Sequence, residues 1–224
     1  MYSREACLRC GECAKKCVYG ALAVIGRTVT AGEVLEAVKK DEPFYRNSGG
    51  GLTISGGEPF FQSGFTLALL RLAREAVLHT CVETCGAAAF DAIEKAAEWT
   101  DIFLYDVKET SPEKHLEYTG VSNRLIIENL ERLDALGARI ILRCPIIPGL
   151  NDRNDHFQKL GVLTGRLENV IQIDIEPYHP LGISKAAAVG KKAGYLDTAL
   201  PAEEKAAEWA ETLRKYTSIP VVML

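Results

Sequence analysis

Residues 51–59 read Gly-Leu-Thr-Ile-Ser-Gly-Gly-Glu-Pro, a short and largely apolar run followed by small and acidic residues. The run 51–55 is predicted to be a buried strand, because a few apolar and β-branched residues bounded by glycine are typical of one. Residues 55–58 would then lie at the carboxyl end of that strand. In folds built from parallel strands this end carries the chemistry. The stretch therefore predicts a sheet and also the edge of the sheet at which a site lies.

Strand-like and helix-like segments alternate through the rest of the chain. Further strands are predicted at 78–83, 102–106, 139–144, 170–175 and 220–224, and helices at 30–40, 65–78, 87–99, 123–136, 154–167 and 202–216. Repeated strand–helix units imply a mostly parallel sheet and an α/β fold. Five such units and a final strand suit a partial or open (β/α) barrel.

Single residues indicate where several of these elements begin and end. Thr30 and Glu33 have the spacing of a capping box at the start of the first helix. Ser122 is expected to cap the fourth helix, and Gly137 to end it. Pro145 is expected to end the strand that follows.

Polar or charged side chains come directly after five of the predicted strands. A turn or a helix cap would explain any one of them, but their occurrence at one edge favours the rim of an active site. These residues are Ser55 and Glu58, which flank Gly56 and Gly57; Glu83 and Thr84; Asp106 and Lys108; Arg143; and Glu176 with His179.

Composition excludes several classes of protein. The chain has 224 residues, and 26 basic against 30 acidic side chains give a net charge of −4. This balance argues against a generally basic nucleic-acid binder. No apolar run approaches the roughly 18 residues of a transmembrane helix, and the amino terminus has no apolar signal core. We therefore expect a cytosolic protein without a membrane or nucleic-acid partner, whose seven cysteines point to metal or redox chemistry.

Four of the seven cysteines lie within the first 17 residues. Their spacing, Cys-x2-Cys-x2-Cys-x3-Cys, is that of bacterial ferredoxins and predicts a 4Fe–4S cluster. A structural zinc site is the alternative, but zinc more often takes two well-separated Cys-x2-Cys pairs. We divide the chain into a ferredoxin-like iron–sulfur segment, residues 1–27, and a body, residues 28–224. The predicted metal ligands are Cys7, Cys10, Cys13 and Cys17.

The fourth cysteine raises a question about this segment. In two-cluster ferredoxins the cysteine at the position of Cys17 binds the other cluster, and Val18 stands where those proteins have proline. No second cysteine run is present in the sequence. Either one cluster is held with a remote fourth ligand, or part of the segment is missing, and we favour the second interpretation.

Ten phrases between residues 41 and 182 carry a family resemblance. They include DEPFY at 41–45, SGGEP at 55–59, LYDVK at 104–108, YTGVSN at 118–123, RCPIIP at 143–148 and PYHPLG at 177–182. Each phrase is weak alone, but their common order is specific. The chain resembles the activating enzymes of glycyl radical enzymes, which belong to the radical S-adenosylmethionine (SAM) superfamily, in the branch with a ferredoxin-like insert.

The resemblance implies a radical SAM barrel and assigns roles to residues at the strand ends. The Ser55–Glu58 segment would take the methionine ammonium of SAM, and Asp106 with Lys108 would lie near the ribose and the methionine carboxylate. Arg143 is a second candidate for that carboxylate, because a guanidinium suits bidentate pairing. Glu83 with Thr84, and His179 near the adenosine, complete the set. Individually these residues are also explained as a tight turn, surface ion pairs and a structural histidine.

One departure from the family is decisive for the expected activity. The superfamily holds its radical-generating cluster by Cys-x3-Cys-x2-Cys, and this motif is absent. Cys13 with Cys17 and Cys81 with Cys85 have the first spacing, but Gly20 and Ala88 occupy the positions of the third cysteine. We expect an amino-terminal truncation that also removes the first barrel strand. No catalytic residue is therefore assigned, and the chain alone is expected not to generate the radical.

The resemblance also implies partners and leaves alternatives open. A glycyl radical enzyme would be the protein substrate, and flavodoxin or ferredoxin the electron donor. The alternative is a non-catalytic iron–sulfur protein that transfers electrons or binds the partner. A phosphate-binding barrel enzyme is a weaker reading, because neither GxxxxGK[ST] nor a GxGxxG in a strand–turn–helix setting occurs.

Overall fold

A computed structural model describes residues 3, 5–190 and 198–224. Six strands form one sheet in the order of the sequence, and every neighbouring pair is parallel. The predicted parallel α/β fold is therefore confirmed. The strands are β1 (Gly51–Ile54), β2 (His79–Thr84), β3 (Ile102–Asp106), β4 (Ile140–Ile146), β5 (Val170–Pro177) and β6 (Val221–Met223).

Helices connect these strands, and the six predicted ones are present with ends shifted by a few residues. Within the described ranges the α-helices are α1 (Glu12–Lys15), α2 (Ala31–Val38), α3 (Glu42–Ser48), α4 (Ser63–Glu75), α5 (Phe90–Ala97), α6 (Pro112–Thr119), α7 (Arg124–Ala135), α8 (Asn154–Thr164), α9 (Gly182–Ala188) and α10 (Glu203–Arg214). The helices that the sequence pattern missed have eight residues or fewer, which give too few turns for a periodic apolar face.

Capping predictions were right at one helix and wrong at another. Thr30 Oγ1 accepts a hydrogen bond from the Glu33 N–H at 3.2 Å, and the Glu33 carboxylate accepts one from the Thr30 N–H at 2.7 Å. Asn123, not Ser122, is the N-cap residue of α7. The Asn123 side chain makes no cap bond, and its Nδ2 donates to the Glu109 carbonyl at 2.8 Å.

The prediction that Pro145 ends its strand was wrong, because β4 continues through it to Ile146. The last residue of β3, Asp106, pairs with Arg143, so β3 has already ended beside Pro145. The backbone N–H and C=O groups of alternate β4 residues point toward β3 and toward β5, and Pro145 is at a position that points toward β3. Its missing N–H therefore ends the pairing with β3 but leaves the hydrogen bonds between β4 and β5 intact, so β4 continues beside β5 to Ile146.

The two faces of the sheet have different environments. Residues on one face are fully buried under the helices, among them Val82, Phe103, Leu142 and Ile173. Alternate residues on the other face are only partly covered, as the burial patterns of β2 and β3 show. The charged residues of β2–β5, which are Glu83, Asp106, Arg143, Asp174 and Glu176, lie on this more open face, whereas Thr80 and Thr84 of β2 lie on the buried face.

Residues 5–27 contain little regular structure, with α1 as their one helix. Large apolar side chains in this segment are solvent-exposed, including Leu8, Val18 and Tyr19. Among the described residues, no helix combines the length and the apolar character needed to cross a bilayer.

Candidate functional site

Strand register brings the predicted polar residues to one edge. Asp106 of β3 pairs with Arg143 of β4, and Arg143 pairs with Asp174 of β5. In parallel strands, paired residues point to the same face of the sheet. Glu83 and Glu176 lie at the ends of β2 and β5 on that face. The side chains of four consecutive strands therefore meet at the carboxyl edge.

Arg143 is the centre of this edge. Its Nη1 lies 3.2 Å from Glu83 Oε1, and its Nη2 contacts Glu176 Oε1. Its Nε is buried and has no hydrogen-bond partner in the described part of the chain. Burial raises the pKa of Glu176, and the neighbouring Arg143 opposes that rise. The guanidinium thus bridges two carboxylates and keeps one donor for another acceptor.

A cavity of about 530 Å³ lies beside this guanidinium. Its lining comes from the carboxyl ends of the strands and the segments that follow them. His179 is solvent-exposed at the border of the cavity. The charged residues that line it are Glu83, Arg143 and Glu176, and His179 lines it with them.

Asp106 and Lys108 form a local pair at the end of β3. Lys108 Nζ donates to Asp106 Oδ2 at 2.7 Å. Both side chains remain partly exposed, so an anionic group could share the ammonium without losing the existing bond, because an ammonium has three donors.

The loop after β1 has open space above its backbone. Gly56 has φ +135°, in the left-handed half of conformational space that glycine tolerates best. A Cβ added at Gly56 or Gly57 would meet no other atom within 4 Å. Ser55 and both glycines are exposed. The loop therefore offers an uncovered backbone surface.

The Glu58 carboxylate is tied to the end of β2. It accepts hydrogen bonds from Thr84 Oγ1 at 2.8 Å and from the Cys85 N–H at 3.1 Å, and the Cys85 thiol lies 3.2 Å away. Sequence reasoning assigned no role to Cys85 and did not foresee that Glu58 joins β1 to β2. Burial raises the pKa of the Cys85 thiol, so the thiol is protonated and can donate to the carboxylate.

The four amino-terminal cysteines supply the donor type of an iron–sulfur cluster but are not gathered around a common centre. Among residues 3, 5–190 and 198–224, no three histidine, cysteine, aspartate or glutamate side chains are placed to hold a metal ion. Cys7 and Cys13 line a separate cavity of about 640 Å³. The Leu22 N–H donates to Cys17 Sγ at 3.3 Å. Binding a cluster would therefore require the segment to rearrange so that these thiols face one centre.

The two remaining cysteines, Cys81 and Cys144, lie in β2 and β4. Cys144 is fully buried, and burial raises the pKa of its thiol strongly. Cys81 is only partly buried on the open face of the sheet, where burial also raises its pKa.

A buried carboxylate lies behind the site. Glu109 follows Lys108 and is 1% exposed. Its carboxylate lies 3.0 Å from Arg153 Nη2 and 3.3 Å from His156 Nδ1, and it accepts from the Ser111 N–H at 2.9 Å. Burial alone would raise the pKa of Glu109, but these hydrogen bonds and charges lower it from 4.5 to about 2.

This depressed pKa predicts a pH dependence of stability. A folded pKa below the unfolded value means that the stabilisation is complete above pH 4.5 and is lost as the pH falls toward 2. Between pH 4.5 and pH 2 the free energy of unfolding of wild type should fall by roughly 2–3 kcal/mol more than that of the Glu109→Gln variant, which has no carboxylate at this position. Urea unfolding at stepped pH measures it, with the exposed Glu128→Gln as the control. Parallel pH profiles for wild type and Glu109→Gln would contradict the assignment.

An all-parallel α/β sheet with charged groups meeting at its carboxyl edge is the architecture of enzymes that act at strand ends. The profile of the radical SAM superfamily matches residues 9–160. The isethionate sulfite-lyase activating enzyme of Oleidesulfovibrio alaskensis is 44% identical over 193 residues, which are 85% of this chain and 62% of that protein. The trans-4-hydroxy-L-proline dehydratase activating enzyme of Clostridioides difficile is 34% identical over an alignment of 240 positions, which covers 93% of this chain and 79% of that protein.

A solved structure has the same fold. A domain of a pyruvate-formate lyase-activating enzyme from Bacteroides vulgatus superposes with a TM-score of 0.66 at 22% identity, over 78% of this chain and 99% of that one. The chain belongs to the radical SAM superfamily and, within it, to the activating enzymes of glycyl radical enzymes. It spans 62% of the length of its isethionate sulfite-lyase relative.

Proposed function

We propose that the carboxyl edge of the sheet binds SAM and that the protein acts in the activation of a glycyl radical enzyme. One observation carries the proposal. Arg143 of β4 contacts Glu83 at the end of β2 and Glu176 at the end of β5, beside a cavity of about 530 Å³. Membership of the activating-enzyme family supports the choice of ligand.

The residues of this edge suit the chemistry of SAM. The molecule carries a sulfonium cation, an ammonium and a carboxylate. Carboxylates outnumber cations at the edge, which favours a cationic ligand, while the Arg143 guanidinium, which lines the cavity, offers N–H donors to a carboxylate. The carboxylates are Glu83, Asp106, Asp174 and Glu176, and the cations are Lys108 and Arg143.

The individual roles follow from the charges. The exposed backbone of residues 55–57 would face the ammonium, with Glu58 holding that loop in place. Lys108 and Arg143 would pair with the carboxylate, and His179 would border the adenosine. When bound, SAM supplies the adenosyl group of the radical that removes a hydrogen atom from a glycine of the partner. The partner is a glycyl radical enzyme, and flavodoxin or ferredoxin is the proposed electron donor.

A second function is favoured by the cysteine pattern. The sequence contains no Cys-x3-Cys-x2-Cys. We propose that this polypeptide by itself binds SAM without generating the radical, and that its amino-terminal segment, residues 1–27, binds an iron–sulfur cluster through Cys7, Cys10, Cys13 and Cys17. Ferredoxin-like spacing and the N–H···S hydrogen bond to Cys17 support this set. Such a chain would transfer electrons or bind the partner.

SAM binding is tested first by filling the open loop. We expect the wild-type chain to bind SAM and the Gly57→Val variant to bind it at least tenfold more weakly, because the new side chain occupies space that the protein leaves empty. Gly64→Val is the matched control, since Gly64 also has open space but lies in α4. Anaerobic calorimetry measures both. Equal affinities of wild type and Gly57→Val would exclude the loop, and absence of binding to wild type would reject the SAM site.

The cluster proposal is tested by iron content and electron paramagnetic resonance. After anaerobic reconstitution we expect about four irons per chain and a reduced signal that does not respond to SAM. Cys10→Ser should lose most of the iron, whereas Cys81→Ser, on the open face of the sheet, should retain it. A signal that changes on addition of SAM would show an open-iron cluster and overturn the proposed inability to generate the radical.

A further inference from the structure

The segment after β3 is fixed by polar side chains that come from later parts of the chain, two of them buried. Asn151 donates to the Lys108 carbonyl, Asn123 donates to the Glu109 carbonyl, and Arg153 contacts the Glu109 carboxylate. We infer that Asn151 is a positioning residue, which fixes the position of Lys108 relative to Arg143. This inference rests on the SAM site proposed above.

All the hydrogen-bonding groups of the Asn151 side chain are used. Nδ2 donates to the Lys108 carbonyl and to the Pro145 carbonyl, each at 2.7 Å, and Oδ1 accepts from the Ile147 N–H at 2.7 Å. The side chain is 3% exposed. A buried amide with this many short bonds has one orientation and holds its partners firmly.

The local backbone explains why an external donor is needed. The β3–β4 ladder ends where Asp106 pairs with Arg143, and its last bond runs from the Val107 N–H to the Arg143 carbonyl. Beyond it, Pro145 has no N–H to offer toward β3. The carbonyls of Lys108 and Pro145 are left beside each other without a donor from either segment. Asn151 supplies both donors and so joins the two strand ends past the end of the ladder.

The joined carbonyls lie next to the charged side chains of the site. Lys108 carries one of them itself, and Pro145 lies two residues after Arg143. Because Glu109 is held independently by Asn123 and Arg153, loss of the Asn151 bonds would displace Lys108 without releasing the whole segment. We therefore expect the effect to appear in ligand affinity more than in stability.

The test is a double-mutant cycle on SAM affinity. Asn151→Asp removes both donors at nearly constant size and is expected to weaken SAM binding at least tenfold in the wild-type background. In a Lys108→Met background the same change should weaken binding less than threefold, because the group it positions is gone. A merely structural role would give the same loss in both backgrounds and would overturn the inference.

Asp134→Asn is the matched control. This change replaces an acid by an amide, whereas Asn151→Asp replaces an amide by an acid. Asp134 is also buried, and it accepts hydrogen bonds from the Glu168 and Asn169 N–H groups before β5, at the opposite edge of the sheet. An equal loss of SAM affinity in this control would overturn the inference. If Asn151→Asp does not fold, Asn151→Ser, which keeps one donor, replaces it in the cycle. Absence of SAM binding to wild type would reject the proposed site itself, whereas binding without an Asn151 effect would reject only the positioning role.

Discussion

Replacement of Gly86 by alanine is expected to lower the free energy of unfolding by about 2–5 kcal/mol, the sum of an overpacking cost and a left-handed backbone cost. Gly86 has φ +69°, and its added Cβ would lie 1.7 Å from Tyr105 Oη and 2.3 Å from Cζ. Tyr105 has no room to retreat, because it is fully buried and its hydroxyl donates to the Ile126 carbonyl at 2.6 Å. The substitution therefore forces a shift in the core.

Gly120→Ala separates the two causes. Gly120 has φ +82°, but an added Cβ would meet nothing within 4 Å. We expect this control to lose only the backbone cost of about 1–2 kcal/mol. Chemical denaturation of the three proteins gives the comparison. Equal losses in both variants would mean that Tyr105 adapts and that the contact does not restrict position 86.

Replacement of Arg143 by methionine is expected to weaken SAM binding about a hundredfold, within the 2–5 kcal/mol typical of removing one partner of a buried charge pair. The change removes the cation that bridges Glu83 and Glu176 and the Nε that has no partner among the described residues. It also makes the edge more negative, which by itself would favour a cationic ligand. A loss of affinity therefore reports specific pairing with the ligand carboxylate and not net charge.

The same variant makes a second, independent change. Burial raises the pKa of Glu176, and Arg143 is the neighbour that lowers it. Without Arg143 the pKa of Glu176 is expected to rise further, so the variant takes up a proton at a higher pH than wild type. Carboxyl NMR titration measures this shift. Arg139→Met is the control for both readouts, because Arg139 is exposed and lies directly before β4, at the end of the strand away from the cavity. Unchanged SAM affinity in Arg143→Met would remove Arg143 from the binding site.

Local signals in the sequence predicted the architecture well. Apolar runs located all six strands, and the Thr30–Glu33 capping box was confirmed because both partners lie within one helical turn. Gly137, with φ +77°, follows α7 as predicted. The Pro145 prediction was wrong because the cost of a missing N–H depends on whether a neighbouring strand is present at that point. The neighbour is set by sheet register, which single-residue preferences do not contain.

The candidate site also combines features that the sequence predicts with contacts that depend on the tertiary structure. The sequence by itself determined which residue types follow each strand, and hence that Glu58, Glu83, Asp106, Lys108, Arg143 and His179 would gather at the carboxyl edge of a parallel sheet. Only the tertiary structure decided their partners: Glu58 turns to Thr84, Arg143 bridges two carboxylates, and Asn151 joins Lys108 to Pro145. Those contacts join residues from different segments of the chain. They depend on how the strands and loops pack, because a hydrogen bond forms only when two groups come within about 3 Å of each other.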